Sequence, residues 1–147
     1  MNTNQHIALQ ESNAKLLQKL FDRSGLKVEG EWHFRKLQAE GYMPLSIDRL
    51  GRSERGFIFF ALAHNSVQNG DVMADPDMEV VFIPGDKPRL RALHYQNDYA
   101  RVFRTTASMD HQQSLGEPMQ VSSDQFLELW LRNLLDQGHR LPEEQTT

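Results

Sequence analysis

The sequence predicts a single α+β domain, in which a mainly antiparallel sheet of five or six strands is flanked by an N-terminal and a C-terminal helix. Apolar residues recur at helical spacing near the two ends of the chain, whereas between residues 26 and 106 they alternate with polar residues, as in strands. No segment among those strands is a convincing crossover helix, which parallel strands would require. The length of 147 residues suits one domain.

The two ends of the chain carry the helical patterns. We expect an amphipathic helix over residues 6–23, followed by Gly25 at the position of a left-handed cap. Near the C-terminus, Ser122 and Gln125 form a capping-box pattern ahead of a helix with one apolar face, and Gly138 ends that helix. We expect residues 1–5 and 141–147 to fray.

The strand patterns follow one another along the middle of the chain. The predicted strands are Trp32–Phe34 and Met43–Ile47, which would form a hairpin, the apolar run Phe57–Ala63, and then Met78–Ile83, Leu90–Tyr95 and Tyr99–Thr105. Phe57–Ala63 is apolar on both faces, which is typical of a central strand. Residues 107–121 have no clear period, so we expect them to run irregularly over the surface.

A polar stretch from Gln68 to Glu79 separates two of these strands, and we interpret it as a loop. It contains four carboxylates and no Lys or Arg, which is what Mg²⁺ or Ca²⁺ prefers. The spacing does not fit an EF-hand, because Pro76 stands where that loop requires glycine. The alternative is that Asp75 and Asp77 cap backbone amides in a turn around Pro76. The candidate metal ligands are Asp71, Asp75, Asp77 and Asp98.

Histidines near the strand ends suggest a second kind of chemistry. His64, His94 and Asp98 would meet the acidic stretch if their strands were neighbours, and such a cluster could relay protons or bind a metal in a hydrolase or nuclease. No nucleophile elbow, phosphate-binding glycine loop or zinc-protease helix motif is present. We therefore expect no cofactor, with a divalent cation as the alternative.

Composition excludes several classes of function. The chain has no cysteine, which closes thiol chemistry, and its longest apolar run is far shorter than the ~20 residues that a membrane helix needs. The start of the sequence lacks a secretory signal pattern, so we expect a cytoplasmic protein. A net charge of −4 does not favour nonspecific nucleic-acid binding. A local basic surface remains the alternative, formed by Arg49, Arg52, Arg55, Lys87, Arg89, Arg91, Arg101 and Arg104.

Several short motifs occur in an order that resembles a known family. They are His33–Leu37 with Gly41–Leu45, Gln68–Asp71 with Asp75–Met78, Tyr95–Asp98, Trp130–Leu134 and Gln137-Gly138. In this order they resemble a family of small uncharacterised proteins found on plasmids and integrative conjugative elements of proteobacteria. The resemblance spans about residues 32–104 and 126–139. It implies an accessory protein of a mobile element and no catalytic residues.

The leading hypothesis is therefore a cytoplasmic accessory protein that binds another protein through the acidic stretch. The expected binding residues are Asn69, Asp71, Asp75, Asp77 and Glu79, because polar segments mounted on rigid strands are common recognition sites. The hydrolase or nuclease and the nucleic-acid binder are the alternatives. The sequence leaves two assembly states open, a monomer and a homodimer that shares the helix containing Trp130.

Overall fold

Two long helices pack on one face of an antiparallel sheet. The computed structural model describes the backbone of residues 1–68, 71–97, 102–105 and 111–142, and the side chains of residues 1–64, 76–93 and 112–142. The elements in these ranges are, in chain order, α1 (Thr3–Asp22), β1 (Phe34–Leu37), β2 (Leu45–Arg52), β3 (Ile58–Gln68), β4 (Asp71–Ile83), β5 (Arg89–Asn97), β6 (Val102–Thr105), α2 (His111–Ser114) and α3 (Pro118–Gln137). The strands form one six-stranded sheet in the order β1-β2-β3-β4-β5-β6. The predicted α+β class is confirmed.

Helix α1 starts earlier than its apolar pattern suggests. Asn2 is its N-cap and forms a reciprocal capping box with Gln5, so residues 3–5, which we expected to fray, are the first turn of the helix. Capping satisfies amides that would otherwise have no partner at a helix start.

Helix α3 also starts earlier than predicted. Its N-cap is Glu117, which accepts hydrogen bonds from the amides of Met119 and Gln120, and Pro118 occupies the first turn. The prediction that Ser122 caps this helix is therefore wrong. Residues 111–114 and 118–121, which we expected to be irregular, are helical. Gly138 ends the helix in the left-handed conformation, as predicted.

The polar stretch predicted to be a loop is mostly strand. β3 continues to Gln68 and β4 begins at Asp71, and these two residues pair directly. The pairing is interrupted once, because Asp75 and Pro76 on β4 lie between the pairs Ala63↔Asp77 and Asn65↔Ala74, where β3 supplies only one residue. This is a β-bulge, which accommodates a proline that has no amide hydrogen to donate.

The main core lies between the sheet and the two long helices. Alternate residues of β3, namely Ile58, Phe60 and Leu62, are fully buried there. The Phe60 ring packs edge-to-face on Phe21 of α1 and stacks on Trp32, with centroids 5.5 and 5.8 Å apart. On the opposite face of the sheet, Phe59 of β3 packs against a smaller buried apolar cluster formed by Val81, Ile83 and Leu93.

The C-terminal segment joins the start of the sheet. Residues Gln38 and Arg140 exchange two backbone hydrogen bonds, with N to O distances of 2.8 and 3.1 Å. Leu141, which we expected to fray, is only 4% exposed and its amide donates to Ser24 Oγ. Residues 143–147 lie outside the described part of the chain.

Candidate functional site: the outward face of the sheet

The carboxylates predicted to bind a partner lie along β4. Asp71, Asp75, Asp77 and Glu79 all belong to this strand. Among those whose side chains are described, Asp77 is half-buried and Glu79 is exposed. Asn69 lies outside the described residues. The acidic segment (Asp71–Glu79) is thus held on a long hairpin rather than in a loop.

The side chain of His64 lies on the face of the sheet opposite to the exposed side chain of Glu79. Its Nδ1 donates to the carbonyl of Pro44 at 2.9 Å, and its ring contacts Trp130 and His139 of the C-terminal region at centroid distances of 5.5 and 5.6 Å. The His64 side chain is 8% exposed and therefore faces the helices. Glu79 lies on the opposite face, because it alternates with the core residues Met78 and Val80.

The other proposed catalytic residues do not complete a site with His64. His94 pairs in register with Glu79, but its side chain lies outside the described ones, as does the whole of Asp98. Within the described residues, no group of three or more His, Cys, Asp or Glu side chains is placed to hold a metal ion. The metal-dependent hydrolase stays a prediction without a described catalytic centre.

A buried polar cluster that the sequence did not predict surrounds Asp124 of α3. His6 Nε2 and Gln10 Nε2 contact Oδ2 at 2.7 and 2.9 Å, while the Ala92 amide and Gln120 Nε2 contact Oδ1 at 2.9 and 3.0 Å. The Gly116 amide donates to His6 Nδ1, so the ring proton lies on Nε2 and is donated to the carboxylate. Asp124 therefore accepts four hydrogen bonds, the capacity of a carboxylate.

This cluster joins α1, α3 and β5. Gln120 Nε2 also donates to the Ala92 carbonyl at 2.8 Å, so Gln120 and Asp124, one helical turn apart, bind the carbonyl and the amide of one residue of β5. β6 pairs with β5 only from His94 onward, so these side chains occupy the edge of β5 beyond the end of β6. All three side chains around the carboxylate are fully or almost fully buried. The cluster is structural because solvent and substrates do not reach it.

Arg91 belongs to the same structural cluster. Its Nε donates to Gln120 Oε1 at 3.0 Å, and the residue is only 2% exposed. Arg91 therefore cannot belong to an accessible basic surface, as the nucleic-acid hypothesis assumed. At the β2–β3 end of the sheet, the exposed Arg52 and Arg55 stand beside the exposed Glu54, so their charge is partly balanced.

The accessible candidate site is the face of the sheet opposite the helices, which we call the outward face. Register pairs run across it in a row, with Phe34 paired to Asp48, Asp48 to Ala61 and Ala61 to Glu79. Directly paired residues of antiparallel strands project to the same face. Phe34 is 48% exposed in this row, and the neighbouring bulge residue Leu50 is 53% exposed. Large apolar side chains are therefore presented to solvent next to carboxylates.

The part of the outward face formed by β1, β2, β3 and the paired residues of β4 carries mainly negative charge. A second row pairs Lys36 with Ser46, Ser46 with Ala63 and Ala63 with Asp77. Together the two rows carry three carboxylates, those of Asp48, Asp77 and Glu79, and one lysine, while Arg89 of β5 lies on the same face where it pairs with Ile83. The sequence could have indicated Glu79, which occupies the polar phase of its strand, but not Phe34, because Phe34 is in phase with the buried Trp32 and its alternation predicts a buried side chain.

Comparisons with known proteins agree with a domain that has no assigned activity. A family model described as a domain of unknown function (DUF6908) matches residues 15–140. No curated protein matches the chain, and no solved structure matches it either. Over the described residues, no helix is long and apolar enough to span a membrane.

Proposed function

Because the chain belongs to the DUF6908 family of domains of unknown function, we propose a function from its surface: it acts by binding another protein through the outward face of the sheet. The observation that carries this proposal is the exposure of Phe34 and Leu50 beside Asp48. Exposed apolar groups rimmed by charges are typical of protein interaction sites.

The charges of the outward face indicate the chemistry of the partner. Asp48, Asp77 and Glu79 would attract a basic surface, and Phe34 and Leu50 would receive apolar side chains between those charges. Charge complementarity of this kind raises the association rate and limits the choice of partner. We infer a partner that combines Lys or Arg with apolar residues.

The wider setting of the protein is part of the same proposal. The resemblance in its motifs to proteins of plasmids and integrative conjugative elements supports an accessory role for a mobile element, carried out in the cytoplasm. The absence of a described catalytic centre fits a role in binding, and the match to a domain of unknown function leaves that role open.

Site-specific photocrosslinking tests the proposed surface. A photoreactive residue at Leu50 should form a discrete protein adduct in cells of the source organism. The same residue at Leu129 is a matched control, since Leu129 is 57% exposed but lies on helix α3. Equal adducts from both positions, or none from Leu50, would contradict the proposal.

Charge reversal tests whether the acidic strand takes part. We expect Glu79→Lys to reduce the Leu50 adduct at least about fivefold, because it replaces an attractive charge by a repulsive one. Glu54→Lys makes the same charge change at an exposed position of the β2–β3 connection and should leave the adduct unchanged. Quantitative mass spectrometry of the adduct measures both effects.

A further inference from the structure

The sheet has an open edge at β1. β1 is the first strand in the sheet order, and the Arg49 amide donates to the His33 carbonyl, so the odd-numbered residues of β1 pair toward β2. Backbone groups alternate in direction along a strand. Those of Phe34, Lys36 and Gln38 therefore point away from the sheet.

The C-terminal segment occupies only one end of this edge. Gln38 is bonded to Arg140 in both directions, and continuing this antiparallel pairing would place residue 142 opposite Lys36. Residue 142 is proline, which has no amide hydrogen for the Lys36 carbonyl. Over the C-terminal segment that the structure describes, which ends at Pro142, the pairing with this edge is therefore one bridge.

Backbone donors and an acceptor remain available along β1. The Phe34 carbonyl accepts from the Arg35 side chain, but the Phe34 amide and both backbone groups of Lys36 have no partner among the described residues. Phe34 and Lys36 are both exposed. Unpaired groups at a sheet edge form a template for an added strand.

Three cations, those of Arg35, Lys36 and Arg140, outnumber the one carboxylate, that of Glu40, beside this edge. Arg35 lies over the Trp32 ring at 5.9 Å, and Lys36 and Arg140 are exposed. Within the described ranges the salt bridges join His6 to Asp124 and Arg132 to Glu128, so none of these three cations is in an ion pair. A second copy of the chain paired at β1 would bring like charges together, which disfavours it. An acidic peptide would complement them.

An apolar cleft lies at the start of the same strand. It has a volume of about 410 Å³ and is lined by Trp32 and Leu50, with the two cations Arg49 and Arg52 and the single carboxylate of Glu31 beside them. A strand added along β1 would run past its entrance. The cleft has room for an apolar side chain and offers guanidinium groups to neighbouring carboxylates.

We propose that the β1 edge binds an extended acidic peptide of a partner protein as an added strand, with an apolar side chain of that peptide in the cleft at Trp32. The β1 site uses backbone groups and cations rather than the carboxylates of β2 and β4, but it shares Leu50 with the outward face, because Leu50 also lines the cleft. A Leu50 adduct alone would not separate the two sites, so the tests below read the β1 site from the backbone amides of β1 and from variants of Lys36.

Peptide titration followed by amide-resolved NMR tests this inference. The probe is a short capped peptide of alternating Glu and Val that ends in Leu. We expect shifts at the amides of residues 33–36 and 49–52, and binding that weakens as salt rises. A matched peptide with Lys in place of Glu should bind at least about tenfold more weakly. Equal binding of the two peptides would overturn the proposal.

Two changes test strand addition itself. Lys36→Pro removes the outward amide hydrogen and should weaken binding about tenfold, whereas Lys36→Ala keeps that hydrogen and should weaken it only about threefold. Because Lys36→Pro could also disturb folding, a peptide N-methylated at alternate residues is tested against the unaltered protein. It should bind about tenfold more weakly. Unchanged affinity for the N-methylated peptide would contradict strand addition.

Sedimentation of the protein alone tests the alternative that a second copy of the chain occupies the β1 edge. We expect no self-association that depends on Lys36. A dimer that dissociates on Lys36→Pro substitution would assign the edge to a second copy and overturn the proposed peptide site.

Discussion

At the scale of single residues, Asp124 is the most constrained side chain described. Its carboxylate accepts from His6, Gln10, Gln120 and the Ala92 amide, and it is fully buried. A buried charge is tolerated only when hydrogen bonds replace its hydration. The Asn13 side chain adds a further bond to the Asp124 carbonyl at 3.0 Å. Asp124 therefore fixes α3 against α1 and the edge of β5.

We expect Asp124→Asn to destabilise the protein by about 3 kcal/mol. An asparagine amide would place its NH₂ group against two donors, whichever way it is turned, because all four partners of the carboxylate donate. The free energy of unfolding in urea measures the change. Asp136→Asn, an exposed position of the same helix, should change it by less than about 0.5 kcal/mol. Similar values for the two variants would contradict the role of Asp124.

At the scale of secondary structure elements, the start of α3 shows where sequence patterns mislead. Ser122 and Gln125 have capping-box spacing, but the observed N-cap, Glu117, lies five residues before Ser122 and is followed by Pro118. The apolar pattern begins late because the first turns bury polar side chains, including Gln120 and Ser123. Those residues contact the sheet edge rather than the apolar core.

The cap can be tested by comparing two substitutions in α3. Glu117→Ala should destabilise the protein by about 1 kcal/mol, since the amides of Met119 and Gln120 lose their acceptor. Gln125→Ala should be neutral within about 0.5 kcal/mol, because Gln125 is exposed inside the helix rather than at its third position. Thermal or urea unfolding measures both. A larger loss from Gln125→Ala would favour a helix that starts at Ser122.

The β3–β4 hairpin was missed for a related reason. The dipeptide Asn69-Gly70 between apolar runs is the strongest short sequence signal for a hairpin, whereas Pro76 and the carboxylates around it are typical of a turn. The bulge at Asp75 and Pro76 shows how the strand continues through the proline. A bulge depends on which residues oppose each other, and a single sequence does not reveal that pairing.

At the scale of the whole molecule, Arg23 ties the end of α1 to the end of α3. Its guanidinium donates to the carbonyls of Leu134, Leu135 and His139, three groups at the C-terminal end of α3. Burial lowers the pKa of Arg23, and the nearby charge of Arg140 lowers it further. A cation at the negative end of a helix dipole also stabilises that end.

We expect Arg23→Gln to destabilise the protein by about 2 kcal/mol, because a glutamine side chain cannot reach all three carbonyls. The loss should be accompanied by faster hydrogen exchange at the amides of Gln38 and Arg140, which pair just beyond this contact. Arg132→Gln is the control, since Arg132 is exposed and its 3.7 Å ion pair with Glu128 is weak. Unchanged exchange at Gln38 would show that Arg23 does not hold the C-terminal segment.

Also at this scale, the burial of Trp130 shows which partner covers its face of α3. Trp130 is 5% exposed and belongs to the main core, so its face of α3 is filled by the chain's own sheet and α1. Partner binding is therefore proposed on the outward face and the β1 edge rather than on the face of α3 that contains Trp130.

The sequence by itself determined the α+β class, the antiparallel sheet and the apolar residues that face the core. These follow from the periodicity of apolar residues, which is a local property. Residues two positions apart share a face of a strand, and residues three or four positions apart share a face of a helix. Only the tertiary structure decided that Asp124 and Gln120 bind the edge of β5, that His64 faces the helices, and that Phe34 and Glu79 share one face. These contacts join residues far apart in the chain, and they depend on strand pairing and helix position, which no local pattern encodes.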